Sequence, residues 1–224
     1  VDEEGLSNGI IGGPNDATGA NTTVTGTLGY NFGGDGAAST GAFTWSTAGL
    51  PGLSSGGTAL VYSVSADGLT LTGAKTGGGA TVFTVKVTDL ATGAYEFKLL
   101  LPLDHSAPVS PVTSDEDDIP LSFGYTVKDD DGSTATGSLG ITIDDDSPTV
   151  DLLPNIGASV VEGATYNGTW SSGYGADGAG STKVLVGANE YDLNTDIALA
   201  SGTLRVNSDG TWRFQAANGL DQDV

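Results

Sequence analysis

Apolar and polar residues alternate along most of this chain. From Ile119 to Lys128, the residues Ile119, Leu121, Phe123, Tyr125 and Val127 fall on one face, and Ser122, Thr126 and Lys128 on the other. This period of two is that of a strand with one buried face. Phe83, Val85 and Val87 repeat it, as do Tyr95, Phe97 and Leu99 with Glu96 and Lys98 turned outward. Leu139, Ile141 and Ile143 alternate with Gly140 and Thr142. No stretch carries sustained helical periodicity. Strands are predicted near 22–32, 41–47, 58–65, 68–72, 80–88, 93–101, 119–128 and 133–143, separated by Gly, Asp, Asn and Ser. Pro120 stands at a strand's beginning, where a missing donor is tolerated. Many short strands of this kind imply an all-β chain built as an antiparallel β-sandwich.

The pattern recurs at an offset of 142 residues. Gly26-Thr27-Leu28 returns as Gly168-Thr169-Trp170, Asp35-Gly36-Ala37 as Asp177-Gly178-Ala179, and Asp67-Gly68 as Asp209-Gly210. With a shorter loop between, Val1-Asp2-Glu3-Glu4-Gly5 corresponds to Val160-Val161-Glu162-Gly163. Residues 1–148 are therefore expected to form a complete module. Residues 149–224 are expected to form a second, related one that is truncated, completed by another segment, or a smaller sandwich in its own right.

Composition narrows the chemistry. The formal charge of −21 argues against nucleic acid and anionic membrane as partners and suits divalent cations. The chain has no Cys, so disulfides cannot staple it and metal is the natural substitute. No run approaches ~18 consecutive apolar residues, so no membrane insertion is expected. The N-terminal VDEEGL lacks the basic and apolar regions of a signal peptide, and a piece of a longer chain is expected.

The acids are not scattered. Asp129, Asp130 and Asp131 precede the strand 133–143, and Asp144, Asp145 and Asp146 follow it. Clustered carboxylates repel one another unless a cation sits between them, and Ca²⁺ takes several oxygen ligands. A calcium site is expected at each pole of the sandwich. Asp2, Glu3 and Glu4 are expected to approach Asp129–Asp131. Asp115, Glu116, Asp117 and Asp118 are expected to approach Asp144–Asp146, joined by Glu162 from the second module. The alternative for each run is a solvated turn. The pieces GGDG at 33–36 and GADG at 175–178 resemble the glycine-aspartate nonapeptide that binds Ca²⁺ in β-rolls, but as lone copies they are read as turns, with calcium the alternative.

His105 is the only histidine and follows Asp104, but no GxSxG elbow accompanies it. Neither catalysis nor zinc is expected from it. The Pro-rich segment 102–118 reads as a binding loop or as a solvated crossover.

The stretches GTLGYNFGGDGAASTGAFTWSTAGLP, ALVYSVSADGLTLTG, VFTVKVTDLATGAYEFKLLLPLDH and DEDDIPLSFGYTVKDDDGSTATGSLGITIDDDSPTV resemble the large tandem repeats of type I-secreted RTX adhesins of Gram-negative bacteria. Residues 160–218, with GTLRVNSDGTWRFQAANGL, resemble a related Ig-like or VCBS-type module of the same giant proteins. The resemblance implies Ig-like or cadherin-like sandwiches in tandem, calcium-dependent folding, and display at the bacterial cell surface. It implies a role in biofilm or host attachment, and calcium at module junctions, here Asp129–Asp131 and Asp144–Asp146. The expected function is a calcium-dependent adhesion module, not an enzyme, from the ligand-binding region of such a protein. Its partners would be neighbouring modules and a peptide or glycan on a target cell, and it would be monomeric. The rival expectation is a structural spacer with no ligand of its own.

Overall fold

The computed structural model describes residues 1–12, 19–105, 118–153 and 160–219. Most of the 102–118 loop, including Asp115 and Asp117, lies outside the described residues. The described chain is all-β with antiparallel sheets, as the alternation predicts; it holds no α-helix, and no helix long and apolar enough to cross a membrane. Its contacts divide it into two units. The first comprises Val1–Ser147 with Gly175–Gly178, and the second Pro148–Tyr174 with Ala179–Val224.

In the first unit, the strands are β1 (Thr23–Thr27), β2 (Phe43–Trp45), β3 (Ser54–Ser55), β4 (Thr58–Val64), β5 (Thr70–Lys75), β6 (Thr81–Asp89), β7 (Ala94–Leu99), β8 (Ile119–Lys128) and β9 (Thr134–Ile143). They form a six-stranded sheet, ordered β1-β7-β6-β5-β4-β3, and a three-stranded sheet, ordered β2-β8-β9. The inward residues of both sheets fill one core. The Phe83 ring stacks on Phe97 at 5.5 Å between centroids and meets the edge of Phe123, from the other sheet, at 5.7 Å. Phe43 stacks on Tyr125 at 5.3 Å. Trp45 is buried among them and still satisfies its indole N–H, which donates to the Leu69 carbonyl at 3.0 Å.

The chain start is held against the end of β9. The Asp144 N–H donates to the Val1 carbonyl at 2.8 Å, and the Glu3 N–H to the Asp144 carbonyl at 3.0 Å. Asp2 and Asp144 form a parallel bridge, so the N-terminal segment runs in the same direction as β9. A single 3₁₀ turn, Glu3–Gly5, follows, capped by the Asp2 carboxylate, which accepts from the Glu4 N–H at 2.8 Å.

The second unit contains β10 (Thr149–Leu153), β11 (Thr165–Gly173), β12 (Lys183–Val186), β13 (Asn189–Asp192), β14 (Asp196–Leu199), β15 (Gly202–Val206) and β16 (Thr211–Ala216). A five-stranded sheet runs β10-β11-β16-β15-β14, and β12 with β13 forms a separate hairpin. The internal repeat is visible in its turns. Asp67 accepts from the Leu69 N–H at 3.0 Å between β4 and β5, and Asp209 from the Thr211 N–H at 3.0 Å between β15 and β16. Gly68 and Gly210 follow with φ of 77° and 82°, which favours glycine at both. The repeat stops at the next strand. β5 pairs onward with β6, whereas β16 pairs with β11, the counterpart of β1.

Candidate metal centre

At the end of β9, Glu3 and Asp146 each keep one buried carboxylate oxygen without a hydrogen-bond partner among the described residues. Glu3 is fully buried. Its Oε1 accepts from the Leu103 N–H at 2.8 Å and lies 3.4 Å from His105 Nε2. Its Oε2 is buried with no hydrogen-bond partner among the described residues. Asp146 is 6% exposed; its Oδ2 accepts from the Ile10 N–H at 3.0 Å and the Ala176 N–H at 2.8 Å, while its Oδ1 is buried with no hydrogen-bond partner. A buried carboxylate oxygen without a donor is costly, and costlier beside like charges. Glu3, His105 and Asp145 offer ligand atoms within 4.8 Å of one another. His105 Nδ1 faces Asp145 Oδ2 at 3.8 Å.

Electrostatics record the same crowding. Burial pushes the Glu3 carboxyl up to about 7 against the opposing hydrogen bonds from His105 and Leu103. Burial, then the charge of Asp145, raises Asp177 to about 6. Asp118 is raised by desolvation and by its hydrogen bond to Asp144. Carboxyls held above their ordinary range in one place are the condition that a divalent cation relieves.

The placement differs from expectation in one respect. Asp2, Glu3 and Glu4 lie not with Asp129–Asp131 but beside Asp144, because the first segment runs parallel to β9 and ends where β9 ends. Glu4 turns its Oε1 to the Gly12 N–H. Asp118 does reach Asp144. Glu162 accepts from the Gly219 N–H at 3.2 Å within the second unit.

The other acidic run is organised differently. Asp129 and Asp131 both accept from the Ser133 N–H, at 2.7 and 3.1 Å, and Asp131 also accepts from the Ser133 hydroxyl at 2.9 Å. The two carboxyls share a hydrogen bond that raises Asp129 and lowers Asp131. They and Asp130 are not buried. Asp129 and Asp131 thus converge on Ser133 at the start of β9.

Two residues of the pole were not read as functional in the sequence. His105 carries no local pattern that marks it. Asp177 sits in a four-residue piece, Gly175-Ala176-Asp177-Gly178, that reads as a turn yet belongs to the first unit. Gly175 has a φ of 76°, and a Cβ built there would run into the Asp146 carboxylate. Gly175→Ala is therefore expected to cost about 2 kcal/mol through backbone strain and displacement of Asp146. Denaturant unfolding of the pair checks this, and an unchanged midpoint would refute the close fit.

The second unit has an open apolar cleft of about 480 Å³ lined by Leu152, Trp170, Leu204, Trp212 and Phe214.

Residues 1–142 match a family described as a domain of unknown function, DUF5801. The chain belongs to this family. The match covers the N-terminal acids, His105 and both sheets of the first unit to within one residue of the end of β9. Comparisons with curated proteins and with solved structures returned no match.

Proposed function

We propose that this DUF5801 chain is a calcium-dependent adhesion module, displayed outside a bacterial cell, whose first unit is an Ig-like β-sandwich stabilised by Ca²⁺ at the end of β9. The observation that carries calcium is the orphaned, buried Oδ1 of Asp146, beside Asp177, whose carboxyl is raised by burial and by the charges of Asp145 and Asp146. Such a donor set is all oxygen and mostly carboxylate, which fits a hard cation of flexible coordination. When bound, the ion would neutralise the like charges and supply the missing partner of Asp146.

Adhesion itself rests on the resemblance to RTX adhesin repeats. The ligand would be a peptide or glycan on a target cell. Glycan and peptide arrays probed with the full chain in Ca²⁺ test it; binding that disappears with a chelator is expected, and background signal throughout would sink the ligand-binding reading. A structural spacer is the second reading. It is favoured by the position of the cluster, Asp144–Asp146, directly before Pro148, where the chain leaves the first unit. The spacer predicts calcium-dependent stability with empty arrays.

A further inference from the structure

We propose that Glu3 and His105 form a mixed nitrogen–oxygen site for a borderline divalent transition ion, with Zn²⁺ as the type, and that Asp145 orients the imidazole. The proposal rests on the reading of this pole as a metal centre, but it does not require calcium.

Three observations carry it. First, Glu3 Oε2 is fully buried and has no hydrogen-bond partner among the described residues, although Oε1 is anchored by the Leu103 N–H at 2.8 Å. The carboxylate is held in place with one oxygen unspent. Second, the Glu3 Oε1 to His105 Nε2 separation is 3.4 Å. That is long for a charge-assisted hydrogen bond, which closes to roughly 2.7–2.9 Å. Two donors each about 2.1 Å from a tetrahedral ion lie about 3.4 Å apart, so the spacing matches a metal bite. Third, the ligand atoms of Glu3, His105 and Asp145 all lie within 4.8 Å of one another, and the His105 side chain is only 5% exposed. A ligating histidine commonly directs its other ring N–H to a carboxylate, which fixes the tautomer and raises ligand basicity.

The imidazole decides the ion. Ca²⁺ and Mg²⁺ select oxygen donors, whereas imidazole suits zinc and its first-row neighbours. A pole made only of carboxylates has no use for a buried histidine between two acids. Among the described residues, Glu3, His105 and Asp145 are the group whose ligand atoms lie within 4.8 Å of one another, and in this proposal the orphaned Asp146 oxygen belongs to a different position.

His105 is the only histidine of the chain, so its ring signals are unambiguous. The experiment is long-range ¹H–¹⁵N NMR of the metal-stripped full chain, titrated with ZnCl₂ and separately with CaCl₂. One equivalent of Zn²⁺ is expected to move the ring nitrogens and lock one tautomer. Co²⁺ is expected to give visible absorption bands that His105→Gln abolishes. Asp145→Asn is expected to weaken Zn²⁺ binding at least about 10-fold. His105→Gln should keep the calcium-induced rise in thermal stability, which shows that the variant folds. Ring signals unmoved by excess Zn²⁺ overturn the proposal. So does stoichiometric displacement of Zn²⁺ by Ca²⁺ with the same ring shifts, which would mean one undivided site. Zinc binding without any calcium stabilisation would overturn calcium as the partner of Asp146 and leave this site standing.

Discussion

Removing divalent metal is expected to lower the melting temperature of the first unit by roughly 5–10 °C. The expectation follows from linkage. An ion that binds only the folded state stabilises it by about 2.7 kcal/mol at 100 times its Kd. In a domain of this size each kcal/mol moves the midpoint by roughly 2–4 °C. The mechanism lies in the unpaid electrostatics of the metal-free pole. Glu3 and Asp146 each bury an oxygen without a donor, and Asp118, Asp144 and Asp177 crowd the same region. Ca²⁺ supplies a partner to the buried Asp146 oxygen and screens the repulsion around it. Mg²⁺ is expected to do less, because it demands a tighter octahedron and sheds its waters reluctantly. Thermal scans in Ca²⁺, in Mg²⁺ and in chelator make the comparison.

Asp146→Asn separates metal binding from local architecture. The amide oxygen can still accept from the Ile10 and Ala176 N–H groups, as Oδ2 does now. The substitution removes one like charge from the cluster. The metal-free variant is therefore expected to match or exceed the metal-free parent in stability, while losing most of the calcium response. A variant that responds fully to calcium would place the ion elsewhere, and a parent without any response would reduce the pole to a network of strained carboxylates.

The strands were legible because their signal is local. Alternation over 119–128 returns as Ile119–Lys128, and the runs near 80–88 and 93–101 return as Thr81–Asp89 and Ala94–Leu99. The faces followed too, since a period of two assigns Leu121, Phe123 and Tyr125 to the core without knowledge of their partners. What the pattern does not carry is strand direction. Val1–Glu3 is too short to show alternation, and whether it runs parallel or antiparallel to β9 decides which pole receives Asp2 and Glu3. The parallel bridge to Asp144 resolved that choice against the expectation. The candidate site was half legible for the same reason. Asp144–Asp146 and Asp118 announce themselves as acid runs. His105 and Asp177 are single residues in loops, brought to the pole from 102 and 174 positions beyond Glu3, and no local spacing encodes that meeting.

With metal stripped away, stability is expected to rise on acidification from pH 8 to pH 5, the reverse of the usual trend for an acidic protein held by ion pairs. Glu3 titrates near 4.5 when unfolded and at about 7 when folded. Between these values the folded chain holds a proton that the unfolded chain has lost. The stabilisation is thus fully present below pH 4.5 and is lost as pH rises through about 7. A shift of this size in a fully buried group corresponds to about 3 kcal/mol. Asp177, raised from 3.8 to about 6, acts with the same sign at lower pH. The carboxyls whose values are depressed, Asp67, Asp89, Asp104, Asp131 and Asp209, lose their contribution only as pH falls below 3.8, outside the window. A divalent ion bound by Glu3 should invert the slope, because ion and proton compete for the same oxygens and the ion requires them ionised. Glu3→Gln keeps an oxygen to accept from Leu103 and removes the titrating group, so it should flatten the metal-free profile between pH 5 and 8. Urea midpoints across that range, for parent and variant, decide the matter. A metal-free parent that gains stability with rising pH, or a Glu3→Gln profile identical to the parent's, would show that Glu3 is not buried as a protonated acid in the free fold.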